Sequence, residues 1–308
     1  MKYKKWLTFR ISSICNHRCS FCTQKNKSPI WNAFVKFDEY KAKILIEAIK
    51  NEYDFILISW WEPTLNPDII SFINLFYKSW INPILMTNWS NLHNLDLNSI
   101  PKDIQIYVSY HWFQDIYNEL VLPWEYLEIN QLQPSQFSIV TENIKLLLDK
   151  WFTPTLKIVI NKYNISLTEL FVDYIIFKFW NKLKINLTLM ESLEDRDIRK
   201  AACKIQNYYQ IIEILHWKYP KNILFEWWNL CESEYLKIHH EEITDSYANK
   251  INWEIIINED WVLLSIKNWT CSRWNIKNFM TKCNSCKLNE NCLWYSIYYK
   301  TRKASLWK

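Results

Sequence analysis

The sequence predicts an α/β fold made of parallel βα units, followed by a smaller C-terminal region of a different kind. Two observations support this prediction. Short apolar runs with strand character alternate with stretches of helical periodicity through about six βα units. After residue 225 the alternation stops, and a short hairpin pattern leads into a cysteine-dense tail. We therefore expect one large domain and one small domain.

The strands and helices follow from local patterns in chain order. Apolar, β-branched runs predict strands, and apolar residues at helical spacing predict helices, the first of which is capped by Asp38. "EIIINEDWVLLSI" predicts a hairpin that turns at Asp260 and Trp261. The predicted strands are 6–12, 53–59, 81–88, 103–110, 153–161 and 184–190, and the predicted helices are 38–52, 67–79, 135–150, 167–179 and 204–217.

Composition limits the classes of protein that this chain can belong to. The chain has 308 residues, and 49% of them are hydrophobic, so it can bury a sizeable core. The chain contains no run of 18 apolar residues, which a membrane span would need, and its N-terminus lacks a signal-peptide pattern. We therefore expect a cytoplasmic protein with no membrane partner. A net charge of +5 permits a nucleic-acid partner without arguing for one. Nine cysteines at short spacings indicate metal binding rather than disulfides.

Tryptophan occupies positions where glycine is normally found. The chain has 19 tryptophans and no glycine, although average usage of about 7% would give roughly 22 glycines. Several tryptophans follow Asn or Asp, as in Asn88-Trp89 and Asp260-Trp261, where glycine forms turns. Trp80 and Trp151 follow predicted helices, at the position where a left-handed glycine commonly ends a helix. We expect these positions to be glycine in the natural protein, because its genetic code reads UGA as glycine.

Three cysteines lie on one loop directly after the first predicted strand. "CNHRCSFC" places Cys15, Cys19 and Cys22 at the spacing C-x3-C-x2-C. A structural zinc site needs four ligands. His17 lies two residues from both Cys15 and Cys19, and residues this close on a tight loop rarely reach the same ion. Three thiolates on an iron–sulfur cubane instead leave one iron open to a small molecule. The spacing alone leaves both a zinc site and a cluster possible.

The loop and the turn after the second strand resemble the radical S-adenosylmethionine (SAM) superfamily. The resemblance rests on the three cysteines, on Phe21 before the last of them, and on residues 60–63, which read Gly-Gly-Glu-Pro if Trp60 and Trp61 are taken as glycine. "MTNWS" after the third strand is also similar to the family, and the match spans about residues 6–190. The resemblance implies a partial (β/α)6 TIM-like barrel over residues 1–225, with a small C-terminal cysteine-rich β-hairpin/cluster domain over 226–308.

The resemblance also implies a cofactor and a set of binding residues. Cys15, Cys19 and Cys22 would hold a [4Fe–4S] cluster that binds SAM at its open iron. The implied cofactor-binding residues are Phe21, Trp60, Trp61, Glu62, Pro63, Ser109 and Asn161, with Lys162 a weaker candidate. Phe21 would pack near the adenine, Glu62 would face the amino group and fix the turn, and Ser109 would bond the ribose or carboxylate. Ser109 and Asn161 have the alternative role of ordinary turn formers.

The printed chain departs from the family pattern at two places. Two indoles at Trp60 and Trp61 would fill the space that SAM needs, so we expect the literal sequence to bind it poorly. Family members also often carry a basic residue soon after the fourth strand, and "SYHWFQDIYNELV" has none. The group that binds the carboxylate of SAM is therefore not identified. Tyr110 and His111 are candidates to face a substrate.

A second cysteine group lies near the C-terminus. Cys271, Cys283, Cys286 and Cys292 resemble the SPASM or shorter twitch extension of radical SAM enzymes. The resemblance implies one auxiliary [4Fe–4S] cluster, and a zinc site of four thiolates is the alternative. Cys203 and Cys231 are expected to be buried free thiols, and Cys231 could complete the site if another cysteine points away.

The implied activity is reductive cleavage of SAM to a 5′-deoxyadenosyl radical that abstracts hydrogen from a substrate. We expect a peptide or protein substrate, and an electron donor such as a flavodoxin or ferredoxin. Modification of RNA or synthesis of a small cofactor are alternatives. A non-catalytic iron–sulfur or zinc-binding module is the remaining alternative if Trp60 and Trp61 are genuine. The sequence does not identify the catalytic acid or base.

Overall fold

The structure, a computed structural model, describes residues 5–19, 21–22, 34–51, 53–59, 61–113, 135–180, 182–190, 203, 205–226, 251–257 and 263–268, and all structural statements concern these residues. The strands are β1 (Lys5–Phe9), β2 (Phe55–Ile58), β3 (Asn82–Thr87), β4 (Gln105–Ser109), β5 (Thr155–Ile160), β6 (Lys184–Leu189), β7 (Ile223–Glu226), β8 (Ile251–Ile257) and β9 (Leu263–Asn268). The helices are α1 (Glu39–Ile49), α2 (Ile69–Lys78), α3 (Gln136–Asp149), α4 (Thr168–Lys178) and α5 (Ile205–Lys218).

The first seven strands form a parallel sheet in which each strand pairs with its neighbours in sequence, in the order β7-β6-β5-β4-β3-β2-β1. Helices lie between most consecutive strands, as a singly wound βα barrel requires. The predicted α/β class and partial TIM-like barrel are therefore confirmed. The prediction of six strands missed β7, whose four residues are too few to show a period.

The hairpin of β8 and β9 extends the same sheet. The two strands are antiparallel, as predicted, and β8 also pairs in parallel with β1 over Lys5–Phe9. The turn residues Asp260 and Trp261, and the whole cysteine-rich tail, lie outside the described residues. The division into domains at residue 225 stays a prediction.

Local sequence explains why the helices begin where they do and which face they bury. The side chain of Asp38 accepts a hydrogen bond from the Lys41 N–H, and Ser135 caps α3 in the same way through the Ser138 N–H. Helix α2 buries Ile69, Phe72, Ile73 and Phe76, whose spacing places them on one face. Phe9 of β1 meets Phe72 and Phe76 edge to face, at 5.8 and 5.7 Å between ring centroids.

Alternation along the strands separates an outer core from an inner face. Leu7, Phe9 and Ile11 join the main core, which also contains the apolar residues of α2, α3 and α4. A second, smaller cluster joins Phe55, Ile84 and Tyr107, with Leu57 and Met86 packed against it. Because successive strand residues point to opposite faces, this second cluster lies on the inner face of the barrel.

Every residue with a positive φ angle in the described part of the chain is a tryptophan. The residues are Trp61, Trp80, Trp89, Trp151 and Trp180, with φ angles of 46°, 62°, 58°, 67° and 53°. The N–H of Ile81 donates to the carbonyl of Phe76, and the N–H of Phe152 donates to that of Leu147. These bonds show that α2 and α3 each end at a residue with a left-handed backbone, Trp80 and Trp151, as predicted from the sequence.

Among the helices of the described residues, none combines the length and apolar character needed to cross a bilayer.

Candidate functional site at the carboxyl ends of the strands

The cysteine loop follows β1 at the carboxyl edge of the sheet. Backbone hydrogen bonds hold its start: the Val35 N–H donates to Ile11, and the Glu62 N–H donates to Ile14, both at 3.0 Å. The Cys22 N–H closes a turn onto the carbonyl of Cys19 at 3.0 Å. Cys15, Cys19 and Cys22 are of intermediate exposure, and none of them forms a disulfide within the described residues. The loop therefore places three thiols next to the turn that follows β2.

Burial shapes the chemistry of Cys15. Removal from water, and next the charge of Glu62, raise the pKa of the Cys15 thiol to about 12. The His17 N–H and the Asn88 side chain point toward its Sγ, at 3.4 and 3.9 Å, and act in the opposite direction. A thiolate at this position consequently needs a cationic partner, which is the role of a metal centre.

A zinc ion and an iron–sulfur cluster make different demands on the three thiols. Within the described residues, no three His, Cys, Asp or Glu side chains form a group that could hold one metal ion. Zinc–sulfur bonds of about 2.3 Å would require the sulfurs to lie roughly 4 Å apart. In a cubane each thiolate binds a different iron, so wider spacing is compatible with that group.

His17 is committed to another contact. Its Nε2 lies 3.2 Å from Oε1 of Gln136, and burial lowers the pKa of its imidazole to about 4. The His17 side chain therefore contacts the first residue of α3.

Glu62 fastens the turn after β2 to the end of β3. Its carboxylate is fully buried and accepts hydrogen bonds from the Thr64 N–H at 3.0 Å, the Thr64 hydroxyl at 2.5 Å and the Thr87 hydroxyl. The other oxygen accepts from the Asn88 N–H at 2.6 Å. Burial raises the pKa of this carboxyl, while the four hydrogen bonds oppose the rise. The geometry agrees with the expected role in fixing the turn, and Pro63 begins a short 3-10 turn directly after it.

A ring of side-chain hydrogen bonds joins the cysteine loop to the segment after β3. The Asn88 amide donates to Oδ1 of Asn16 at 2.8 Å, and the Asn16 amide donates to the Ser90 hydroxyl at 2.7 Å. The Ser90 hydroxyl donates back to Oδ1 of Asn88 at 2.7 Å. Asn16 and Ser90 were not assigned roles from the sequence. The available signal was a run of small polar residues at the end of a buried strand.

Phe21 lies in the site, in contact with His111. The Phe21 ring is buried and meets the His111 ring edge to face at 4.7 Å. The Nδ1 of His111 accepts a hydrogen bond from the Val159 N–H at 3.2 Å, so its proton is on Nε2. Burial, with smaller effects of the charges of His17 and Lys157, lowers the pKa of His111 to about 3.

The remaining residues predicted from the sequence do not all lie at the site. Ser109 ends β4 at the same edge as the cysteine loop. Asn161 is fully buried, and its side chain bonds the Tyr163 N–H and the Val159 carbonyl, which makes it a turn former. Tyr110 is buried against Phe137 and Phe171. The expectation that Tyr110 faces a substrate is therefore wrong. Trp60, Cys231 and the four C-terminal cysteines lie outside the described residues, and Cys203 is a buried free thiol as expected.

Trp61 borders the site and covers a buried cation. Its backbone is left-handed, and its ring centroid lies 5.3 Å from the guanidinium carbon of Arg10. Arg10 follows β1 and is 2% exposed. No role for Arg10 follows from the sequence, because nothing in its local pattern shows that it meets the turn after β2.

Comparison with known proteins gives one family and several solved structures. Residues 9–108 match the sequence model of the family described as the Radical SAM superfamily. No curated protein sequence matches significantly. SuiB of Streptococcus suis bound to S-adenosylmethionine is 17% identical, with a TM-score of 0.61 over 94% of this chain and 72% of SuiB. The same enzyme bound to its precursor peptide SuiA is 16% identical, with a TM-score of 0.62, covering 95% and 72%.

A second structure covers nearly all of both chains. The protein anSMEcpe with bound AdoMet and the Kp18Cys peptide is 14% identical, with a TM-score of 0.63 over 98% of this chain and 96% of anSMEcpe. At these identities the structures establish the shared fold. The family match covers the cysteine loop, the turn at Glu62 and the end of β3, and it stops within β4 at residue 108, before Ser109.

Proposed function

We propose that this chain, an enzyme of the radical SAM superfamily, holds a [4Fe–4S] cluster on Cys15, Cys19 and Cys22. The proposal is supported above all by the position of these free thiols on one loop at the carboxyl edge of the barrel. Active sites of βα barrels collect at that edge. When bound, the cluster supplies an electron that cleaves bound SAM into methionine and a 5′-deoxyadenosyl radical.

The residues of the chain bind and orient the ligand. Phe21, held against His111, offers the edge of a buried apolar surface to the adenine. Ser109 offers a hydroxyl to the ribose or carboxylate from the end of β4. Glu62 and Pro63 keep the turn of residues 61–63 close to the cysteine loop, through the bond from the Glu62 N–H to Ile14. Asn161 supports this edge by shaping the turn after β5.

We also propose that the natural protein has glycine at the tryptophan positions. The left-handed region costs a residue with a Cβ roughly 1–2 kcal/mol, and glycine avoids this cost. Chance would not concentrate all five positive φ angles of the described chain on one residue type. Glycine at position 61 would also remove the indole that covers Arg10 near the cysteine loop, which the proposed activity requires.

The coding DNA tests the glycine proposal directly. We expect UGA at most of the nineteen tryptophan codons, and intact mass of protein purified from its own organism should fit glycine at those positions. UGG at most of these codons, or a native mass that fits tryptophan, would show that the proposal is wrong.

The proposed substrate is a peptide or protein. The support comes from two proteins of the same fold, SuiB with its precursor peptide and anSMEcpe with a bound peptide. Modification of RNA or of a small cofactor is the alternative reaction class. A cytoplasmic flavodoxin or ferredoxin is the proposed electron donor. We further propose one auxiliary [4Fe–4S] cluster on Cys271, Cys283, Cys286 and Cys292, within a C-terminal domain of residues 226–308.

Anaerobic reconstitution tests the activity. The chain carrying Trp60→Gly and Trp61→Gly, loaded with iron and sulfide and reduced with dithionite, should convert SAM to 5′-deoxyadenosine, detected by chromatography. Cys15→Ala in the same background should abolish this product, while Cys203→Ala should not. Reconstituted protein that binds zinc but no iron, or that holds iron and forms no 5′-deoxyadenosine, would instead favour a non-catalytic metal-binding module.

A further inference from the structure

Arg10 lies on the inner face of the barrel, at the level of the site. Leu7, Phe9 and Ile11 pack into the outer core, so Thr8 and Arg10 point to the opposite face by strand alternation. Arg10 comes one residue after β1 ends and five residues before Cys15. The guanidinium is therefore a positive charge inside the barrel, beside the start of the cysteine loop.

An aromatic ring contacts this charge at the site. The Trp61 ring covers the guanidinium at 5.3 Å, a cation–π contact. A planar guanidinium is suited to bidentate binding of a carboxylate, which is a stronger interaction than a contact with an aromatic face.

The place of the Trp61 indole is next to the proposed cofactor site. Trp61 directly precedes Glu62, whose N–H donates to Ile14 at 3.0 Å, and Ile14 directly precedes Cys15. The backbone at Trp61 is left-handed, so glycine at this position would keep the turn and remove the ring. A ligand on the cysteine loop would then reach the face of Arg10 that the ring now covers.

We propose that Arg10 binds the carboxylate of SAM, and that Trp61 in the printed chain occupies the position of that carboxylate. This inference rests on the proposed function, and it supplies the carboxylate partner that the segment after β4 lacks. Arg10 is a binding residue under this proposal, since its guanidinium would touch the methionyl end of the ligand. It would not take part in electron transfer.

Paired ligands test the proposal by binding alone. The probes are SAM and decarboxylated SAM, which keeps the amine and the sulfonium, each titrated calorimetrically into reconstituted Trp60→Gly/Trp61→Gly protein. Adding Arg10→Gln should weaken SAM binding about tenfold or more, the effect of losing one charge-assisted pair. The affinity for decarboxylated SAM should change less than about threefold, and Arg10→Lys should restore part of the SAM affinity.

Controls separate this proposal from loss of fold and from failure of the proposed function. Lys102→Gln removes one positive charge near the start of β4, where Lys102 covers Phe152, and should leave both affinities unchanged. Equal weakening of both ligands by Arg10→Gln, or no weakening of SAM, overturns the role of Arg10. If Arg10→Gln leaves SAM affinity intact while 5′-deoxyadenosine still forms, only this inference fails. If the parent protein binds no SAM, both proposals fail.

Discussion

The two edges of the barrel use the same backbone conformation with different consequences. At the amino edge, Trp80, Trp151 and Trp180 precede β3, β5 and β6, and their side chains are 94%, 86% and 83% exposed. At the carboxyl edge, Trp61 and Trp89 follow β2 and β3, and Trp89 is fully buried. The left-handed backbone costs energy at both edges. At the amino edge the indoles are exposed, whereas at the carboxyl edge the Trp89 indole is buried in the main core and the Trp61 ring covers Arg10 near the cysteine loop.

The Trp89 backbone shows how closely the carboxyl edge is built around a small residue. Its N–H donates to the Thr87 hydroxyl at 2.8 Å, and its carbonyl accepts from the Asn143 amide at 2.7 Å. Its buried indole Nε1 makes no hydrogen bond within the described residues. The backbone is therefore well bonded while the side chain leaves a polar atom unsatisfied, which is what we expect where a glycine turn carries an indole.

The largest effect should come from the buried carboxylate at the carboxyl edge. Glu62→Ala removes the acceptor of four hydrogen bonds and leaves buried donors without partners, so we expect a loss of roughly 3–5 kcal/mol in the free energy of unfolding. Urea titration followed by circular dichroism measures it. The control Glu142→Ala removes an exposed carboxylate that pairs with Lys145 and should cost less than about 1 kcal/mol. If both variants lose a similar amount of unfolding free energy, the buried carboxylate contributes no more to stability than an exposed one.

Acid should weaken the carboxyl edge through His111. The folded-state pKa of His111 is lowered to about 3 by burial, from an ordinary value of 6.5. The folded protein therefore resists a proton that the unfolded chain accepts. The stability present above pH 6.5 should fall as pH drops toward 3, by up to about 1.4 kcal/mol per pH unit.

The groups around His111 define the control for this pH dependence. His17 and Lys157 are the charged or titratable neighbours that lower its pKa. His111→Asn keeps a hydrogen-bond acceptor for the Val159 N–H but cannot titrate, so it should remove about half of the decline between pH 6.5 and pH 5. The other half should remain because burial also lowers the pKa of His17, to about 4. Urea titrations at those two pH values measure the free energy of unfolding. If its decline between them is the same in His111→Asn as in the parent protein, other groups cause the acid sensitivity.

The smallest effects should come from the amino edge, and they should be stabilising. Trp80→Gly, Trp151→Gly and Trp180→Gly each remove an exposed side chain from a left-handed position, so each should raise the free energy of unfolding by about 1 kcal/mol. The control Trp217→Gly changes an exposed tryptophan inside α5 and should cost roughly 0.5–1 kcal/mol. Thermal melts of the four variants give the comparison. Destabilisation by all four would mean that the indoles contribute more than the backbone strain.

The strands, helices and helix caps could be predicted closely from the sequence. The predicted strand 81–88 is observed as Asn82–Thr87, and Asp38 caps α1 as expected. These features depend on neighbours within a few residues, so periodicity and cap chemistry are enough to locate them. The same reasoning located the left-handed positions at Trp80, Trp89 and Trp151, because a residue that ends a helix or forms a turn meets mainly its own backbone.

The sequence by itself thus determined the order of elements, the cysteine loop and the turns that need a small residue. Only the tertiary structure decided that β8 pairs with β1, that the Glu62 carboxylate meets Thr87 and Asn88, and that Arg10 lies under Trp61. These contacts join residues far apart in the chain, and local preference carries no information on which distant groups the closed barrel brings together. The fold was therefore readable from local patterns, while the partners within the site required the packed sheet.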